Sequence, residues 1–307
     1  MQQGIYHVPV MLEEVINGLE IVPSGIYVDC TFGGGGHSTA ILQKLGGDGK
    51  LIAFDQDADA KRNIPGDERL IFVPHNFRHL QRFLRLHEVQ KVNGILADLG
   101  VSSHQIDEPE RGFSTRFNAR MDMRMNQSEL QDAAKIISTY DESRLQKIFG
   151  EYGEVTNAKT LAKTIVSARK SQSLDSIAAF KTALYPVVKG NPDKYFAKIF
   201  QALRIEVNDE LGALKELLEQ IPAVLAEGGR AAFITFHSLE DRIVKNFFRY
   251  GNVDGIQHVD FFGTPREMDL EIITKKPISP LPEEIKKNPR SRSARLRIAE
   301  KKKEIHK

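Results

Sequence analysis

The chain has 307 residues, 41% hydrophobic and 27% charged, which suits one large or two ordinary soluble domains with a sizeable core. Its one cysteine, Cys30, excludes an internal disulfide or a cysteine-rich zinc cluster and agrees with a reducing, cytoplasmic compartment. No apolar run approaches the roughly 18 residues of a membrane span, and residues 1–7 lack the basic and apolar regions of a secretory signal. The net charge of +2 hides an asymmetry, because residues 286–307 hold ten Lys and Arg against two Glu, a net of +8, leaving −6 for the rest. That block reads as a solvated C-terminal tail, with a grip on a phosphate backbone as the functional alternative.

In chain order, strand-length apolar runs occupy 25–32, 50–57, 70–77 and 92–100, with helical spacing at 37–45 and 77–89. Strand, helix, strand in this rhythm predicts a parallel sheet with helices on both faces. The rhythm then stops. From about 105 to 192 only helical patterns appear, at 128–138, 141–150, 155–170 and 174–187, with Asp141 and Gly150 as caps of the second. The sheet pattern resumes with helices at 194–208 and 211–226, a turn at 227–230, a strand at 231–236, a helix at 238–250 and a last strand within 269–277. The expected organisation is a first α/β part at 1–104, a helical insertion at 105–197, a second α/β part at 198–285 and a basic tail at 286–307.

The stretch "VDCTFGGGGHS", 28–38, places four glycines after the first strand and before a helix. Such a loop lets a nucleotide ligand reach backbone N–H groups and the positive end of the helix. The P-loop pattern is absent, and in the dinucleotide fingerprint the third glycine would fall on Ser38 or Thr39, which disfavours a pyrophosphate-binding dehydrogenase. Asp55 closes the second strand and suits ribose hydroxyls, unless it caps the following helix, a role better suited to Asp57 or Asp59. Asp29, just ahead of the glycines, would repel a pyrophosphate but suits an ammonium or a sulfonium, and S-adenosylmethionine carries both. Phe77, after His75 and Asn76, is placed to stack on an adenine or to fill the core. His75 and His79 have metal-ligand spacing but no further partner, and read as surface histidines. Asp98, at the carboxyl end of the fourth strand, is the candidate for direct chemistry, with a loop-capping role as the alternative.

"TFGGGGHS", "FDQD", "ADLGVSSHQID", "RGFS" with "MDMRM", "FQALRIEVNDEL", "FHSLEDRIVK" and "SRSARLR" follow one another along nearly the whole chain. Together they resemble the bacterial 16S ribosomal RNA cytosine-N4 methyltransferases of the RsmH (MraW) family. The resemblance implies a class I S-adenosylmethionine-dependent methyltransferase, a Rossmann-like and mostly parallel sheet with an inserted all-helical substrate domain. Its implied substrate is a decoding-region cytidine of 16S ribosomal RNA, free or in the small subunit. It also implies cofactor contacts at Gly35, Gly36, His37, Asp55, Phe77, Asp98 and Gln105, no metal, and no membrane. It leaves the oligomeric state open, a homodimer among the options. One segment departs from the family: residues 116–120 read Arg-Phe-Asn-Ala-Arg where an Asp-Gly-Pro-Leu-like turn is usual.

Methylating an exocyclic amine requires acceptors beside the methyl group, whereas methylating carbon 5 of a pyrimidine requires a cysteine nucleophile. Asp98-Leu99-Gly100-Val101 lacks the Asp/Asn-Pro-Pro-aromatic pattern of many amino methyltransferases, so the amine target comes from the resemblance, with Asp98 as acceptor. His237 is either a second polar group at this edge or part of a helix start with Ser238 as N-cap and Asp241 as its partner. Phe113 and Phe117 are candidate rings for an unstacked base. Arg111, Arg116, Arg120 and Arg124 are the expected RNA contacts, with Arg290, Arg292, Arg295 and Arg297 secondary. The rival readings are a non-catalytic RNA-binding assembly factor, a methyltransferase for an amine in DNA or protein, and a nicotinamide dehydrogenase.

Overall fold

The computed structural model describes residues 9–257, 259 and 268–303. In chain order the elements are α1 (Leu12–Leu19), β1 (Ile26–Asp29), α2 (Gly36–Lys44), β2 (Lys50–Phe54), β3 (Leu70–Val73), α3 (Leu80–Leu86), β4 (Val92–Asp98) and α4 (Ser103–Asp107). Then follow α5 (Ala133–Thr139), α6 (Glu142–Glu151), α7 (Ala158–Ala168), α8 (Ile177–Leu184), α9 (Pro192–Asn208) and α10 (Glu210–Val224). The chain closes with β5 (Leu225–Thr235), α11 (Ser238–Tyr250), β6 (Leu270–Ile272), α12 (Pro282–Lys287) and β7 (Arg295–Lys301). It divides into two compact units, Met1–Gly100 with Leu211–Lys307, and Val101–Glu210.

The first unit is a seven-stranded sheet in the order β3-β2-β1-β4-β5-β7-β6, parallel except for β7, which runs antiparallel to both its neighbours. The two-residue period of the strands sorts their side chains onto two helical layers. Val28, Ile52, Ile95 and Phe233 share a core with Leu80 and Leu84 of α3, Leu214 and Leu218 of α10 and Val244 and Phe247 of α11. Tyr27, Leu51, Leu96 and Ile234 share the opposite core with Val15 and Leu19 of α1 and Ile41 and Leu42 of α2. This is the doubly wound, Rossmann-like sheet. The chain leaves β1 toward β2 and β3 and returns beside it as β4, so the switch point lies between β1 and β4, where ligands of such sheets bind.

Two expectations about this unit are corrected. The basic stretch is not a tail: residues 282–287 form α12, and Arg295–Lys301 is β7, inserted between β5 and β6. Leu296 and Ile298 alternate into the core there, and that two-residue pattern outweighs the charge count. Residues 1–8 and the end of the basic block, Glu304 and Lys307, lie outside the described residues. The turn expected at 227–230 is instead an irregularity inside β5, where Val92 pairs with Leu225 but Gly94 pairs with Arg230.

The second unit is helical, with α5 to α9 around a core that includes Leu145, Phe149, Leu161, Ile165 and Phe180. Its boundary lies after Glu210 and not at 197, because Tyr195, Phe196, Ile199, Phe200 and Leu203 of α9 turn into this core. The segment that departs from the family pattern is held by backbone pairing: Met121 N–H donates to Asp175 O (2.8 Å) and Ile177 N–H to Ala119 O (2.9 Å).

Candidate active site

β1 ends at Asp29, and the glycine loop that follows is built by carboxylates. Asp29 is fully buried; its Oδ2 accepts from Ser38 Oγ (2.7 Å) and its Oδ1 from Thr31 N–H (3.0 Å). Asp29 therefore braces the loop from below, where a cation-facing role was expected. Gly33 is held at both ends, its N–H donating to Asp55 Oδ2 (2.7 Å) and its carbonyl accepting from Asn63 Nδ2 (2.9 Å). Gly35, with φ +75°, occupies the left-handed N-cap of α2, a conformation that favours glycine. Gly36 packs so closely on Pro9 that a side chain there would collide with the proline ring. At Gly34 a Cβ would meet none of the described residues within 4 Å, so the loop presents an open face to them.

Asp55 is not the helix cap. Asp57 takes that role, accepting from Asp59 N–H (3.0 Å), while Asp55 Oδ1 accepts from Asp57 N–H (2.8 Å). Burial pushes the Asp55 carboxyl up to about 6, against the pull of the Asp57 and Gly33 amides. Each of its oxygens keeps a lone pair for a further donor. At the end of β3, Asn76 accepts from Arg78 N–H (2.9 Å) and donates to Gln56 Oε1 (2.9 Å). Phe77 begins the next helical turn, partly buried against the sheet core. His75 stacks on Phe83 with ring centroids 4.6 Å apart.

Asp98 ends β4, its N–H donating to Thr31 Oγ1 (2.7 Å), so the ends of β1 and β4 are tied together. Its Oδ2 lies 3.7 Å from His37 Nδ1, and its Oδ1 is buried with no hydrogen-bond partner among the described residues. Burial, then the charges of Asp29, Glu240 and Glu284, push this carboxyl well above the carboxylate range. His37 opens α2, buried, with Nε2 3.0 Å from the Val10 carbonyl. Cys30 is buried beneath the loop, and burial followed by the Asp29 charge pushes its thiol well up, so it is no nucleophile.

The α11 cap falls one residue earlier than expected. His237, not Ser238, is the N-cap, and its box partner is Glu240, which accepts from Phe236 N–H (2.8 Å) and His237 N–H (3.4 Å). Asp241 instead forms a buried two-point pair with Arg297 (Oδ1 to Nε 2.7 Å, Oδ2 to Nη2 3.1 Å) and also meets Arg295 (3.4 Å). Arg297, a secondary candidate for RNA contact, thus joins β7 to α11.

In the helical unit, Gln105 is the third residue of the α4 capping box, its N–H donating to Ser102 Oγ (3.2 Å) and its Oε1 accepting from Ser102 N–H (3.0 Å). Arg111 is buried and donates to the Arg124 and Met125 carbonyls (2.9 and 3.2 Å). Arg124 grips Asp122 at two points (2.6 and 2.8 Å) and the Gln127 and Glu129 carbonyls. These two arginines, expected to meet RNA, therefore hold the segment 111–125 together. Arg120, paired with Asp132 (2.7 Å), and Arg116, over the Phe117 ring and paired with Asp107 (3.3 Å), remain at the surface, 58% and 60% exposed. Phe113 packs on the helical core.

A profile of the MraW methylase family matches residues 4–302. The chain belongs to this family. It is 53% identical over 298 residues to "Ribosomal RNA small subunit methyltransferase H" of Bacteroides thetaiotaomicron, covering 97% of this chain and 98% of that one. It is 51% identical to the protein of that name from Flavobacterium psychrophilum (95% and 100% covered) and 49% identical to that from Christiangramia forsetii (96% and 98% covered). The protein is thus a class I methyltransferase, and S-adenosylmethionine is its methyl donor. The strand ends suit this cofactor. Among the described residues the loop has an open face at Gly34, Asp55 has acceptor capacity left, and Asp98 Oδ1 is a buried acceptor with no donor on it.

Sequence reasoning missed Thr31, Ser38 and Asn63, which shape the loop, and Glu284 of α12, which accepts from Met11 N–H (2.9 Å). Small polar residues beside a glycine run were the available signal for the first two; Glu284 is 273 residues from its partner.

Proposed function

We propose that the protein methylates the exocyclic N4 of a cytidine in the decoding region of 16S ribosomal RNA, acting in the cytoplasm. The observation that carries this reading is Asp98, whose buried Oδ1 has no partner among the described residues, at the switch point of a methyltransferase sheet. The names of the relatives support ribosomal RNA of the small subunit as the substrate.

Gly35, Gly36 and His37 offer the loop and the first turn of α2 to the cofactor, Asp55 the acceptors for its ribose hydroxyls, Phe77 a ring for its adenine, and Asp98 and Gln105 further polar contacts. When bound, S-adenosylmethionine supplies a methyl group already activated on a sulfonium. Asp98 accepts a hydrogen bond from the target amine, orients its lone pair and takes up the proton that the methylated nitrogen sheds. Burial raises the affinity of this carboxyl for a proton, which suits that proton-accepting role. The inert thiol of Cys30 argues for the amine over carbon 5, which would need a thiolate. The surface arginines Arg116, Arg120, Arg292 and Arg295 are the residual candidates for phosphate contact.

The test is transfer of labelled methyl from S-adenosylmethionine to small ribosomal subunits from cells lacking the gene. Asp98→Asn should lower the rate at least about a hundredfold, the scale of a lost acid–base group, with the melting temperature retained. Transfer by Asp98→Asn at the wild-type rate would contradict the reading.

A further inference from the structure

Residues 9–11 form a strap across the N-terminus of α2. Pro9 lies against Gly36, the Val10 carbonyl meets His37 Nε2 at 3.0 Å, and Met11 N–H donates to Glu284 Oε1 of α12 at 2.9 Å. Met11 is fully buried with φ 54° and ψ 39°, a left-handed conformation uncommon for a residue with a side chain. Its own carbonyl accepts from Val15 N–H (3.0 Å) and starts α1. Successive peptide groups at this corner therefore serve three elements, α1, α2 and α12.

A carbonyl oxygen can only accept, so the His37 nitrogen facing Val10 must carry the hydrogen. Burial keeps the imidazole neutral, against the pull of Asp29 and the Val10 carbonyl, and a neutral ring has one bare nitrogen. That nitrogen is Nδ1, 3.7 Å from Asp98 Oδ2. We propose that Glu284 is a positioning residue for methyl transfer. By holding Met11 N–H it fixes the Val10 carbonyl on His37 Nε2, and so fixes the tautomer whose Nδ1 lone pair faces Asp98. The imidazole then backs Asp98 with an acceptor, so that a proton taken up by the carboxyl finds a partner behind it. This role for Asp98 rests on the function proposed above; the tautomer does not.

The experiment uses full-length protein labelled with 15N at histidine, with Glu284→Ala and Glu284→Gln alongside. Wild type should show His37 with one protonated and one bare ring nitrogen, their signals widely separated and Nε2 the protonated one. Glu284→Ala should lose that separation as the two tautomers mix, and should lose affinity for S-adenosylhomocysteine. Glu284→Gln, whose amide oxygen still accepts from Met11 N–H, should restore both. A purely supportive contact would instead lower the melting temperature of Glu284→Ala and leave the ring signals untouched. That result, or a wild-type ring protonated at Nδ1, overturns the proposal. Because the signals are read without turnover, failure of the Asp98 assignment shows only in the transfer assay and is distinguished from failure here.

Discussion

Asp29, Asp55 and Asp98 are three carboxyls at neighbouring strand ends with three different jobs. Asp29 is enclosed by Ser38 and Thr31 and shapes the loop, Asp55 ties Gly33 to the end of β2, and Asp98 keeps an acceptor free among the described residues. Position marked all three in the sequence, since Asp29 and Asp98 end strands and Asp55 directly follows one; their division of labour depends on hydrogen-bond partners that spacing does not reveal. Asp55 carries a pH dependence. Its ionised form can accept from ribose hydroxyls on both oxygens, so affinity for S-adenosylmethionine should rise through about pH 6 and level off above it. Titration calorimetry across that range should show the rise in wild type and a flat profile in Asp55→Asn. The folded state responds oppositely. Between the ordinary carboxylate value and about 6 the folded chain keeps a proton that the unfolded chain has shed, so this group's contribution to stability falls as pH rises across that window.

At the scale of elements, hydrophobic periodicity located most strands and helices, and the misses have physical causes. β7 was hidden because Arg295 and Arg297 alternate with Leu296 and Ile298, and the charges dominate a composition count. A buried arginine in a strand needs a carboxylate partner, which Asp241 supplies from α11, 56 residues away. Replacing Arg297 with Ala strips that buried carboxylate of its two-point partner and leaves it the longer Arg295 contact, which should cost up to about 3–5 kcal/mol of stability, measured by urea denaturation. The α11 cap was misplaced because Ser238 fits an N-cap by residue type, whereas the His237 and Glu240 box occupies the position. Arg111 and Arg124 illustrate the same limit: a cluster of arginines looks like a nucleic-acid grip until its carbonyl and carboxylate partners are seen.

For the whole molecule, the order of the motifs made the α/β fold with its helical insertion legible, while the boundary at Glu210 depended on which core α9 faces. The surface basic residues that remain once the structural arginines are set aside should act additively and without base preference. Arg116→Ala and Arg292→Ala should leave stability unchanged and weaken binding to small-subunit RNA. Each should also reduce the slope of log affinity against log salt by about one for every phosphate the side chain had neutralised. An unchanged slope would remove these side chains from the RNA interface.

The atom that receives the methyl group can be read directly from the product. Small subunits methylated by the purified protein should be digested to nucleosides and analysed by mass spectrometry against N4-methylcytidine, 5-methylcytidine and 2′-O-methylcytidine standards. Label should appear in N4-methylcytidine alone, abolished by Asp98→Asn and retained with Cys30→Ala. Label in 5-methylcytidine, or transfer that depends on Cys30 and not on Asp98, would contradict it.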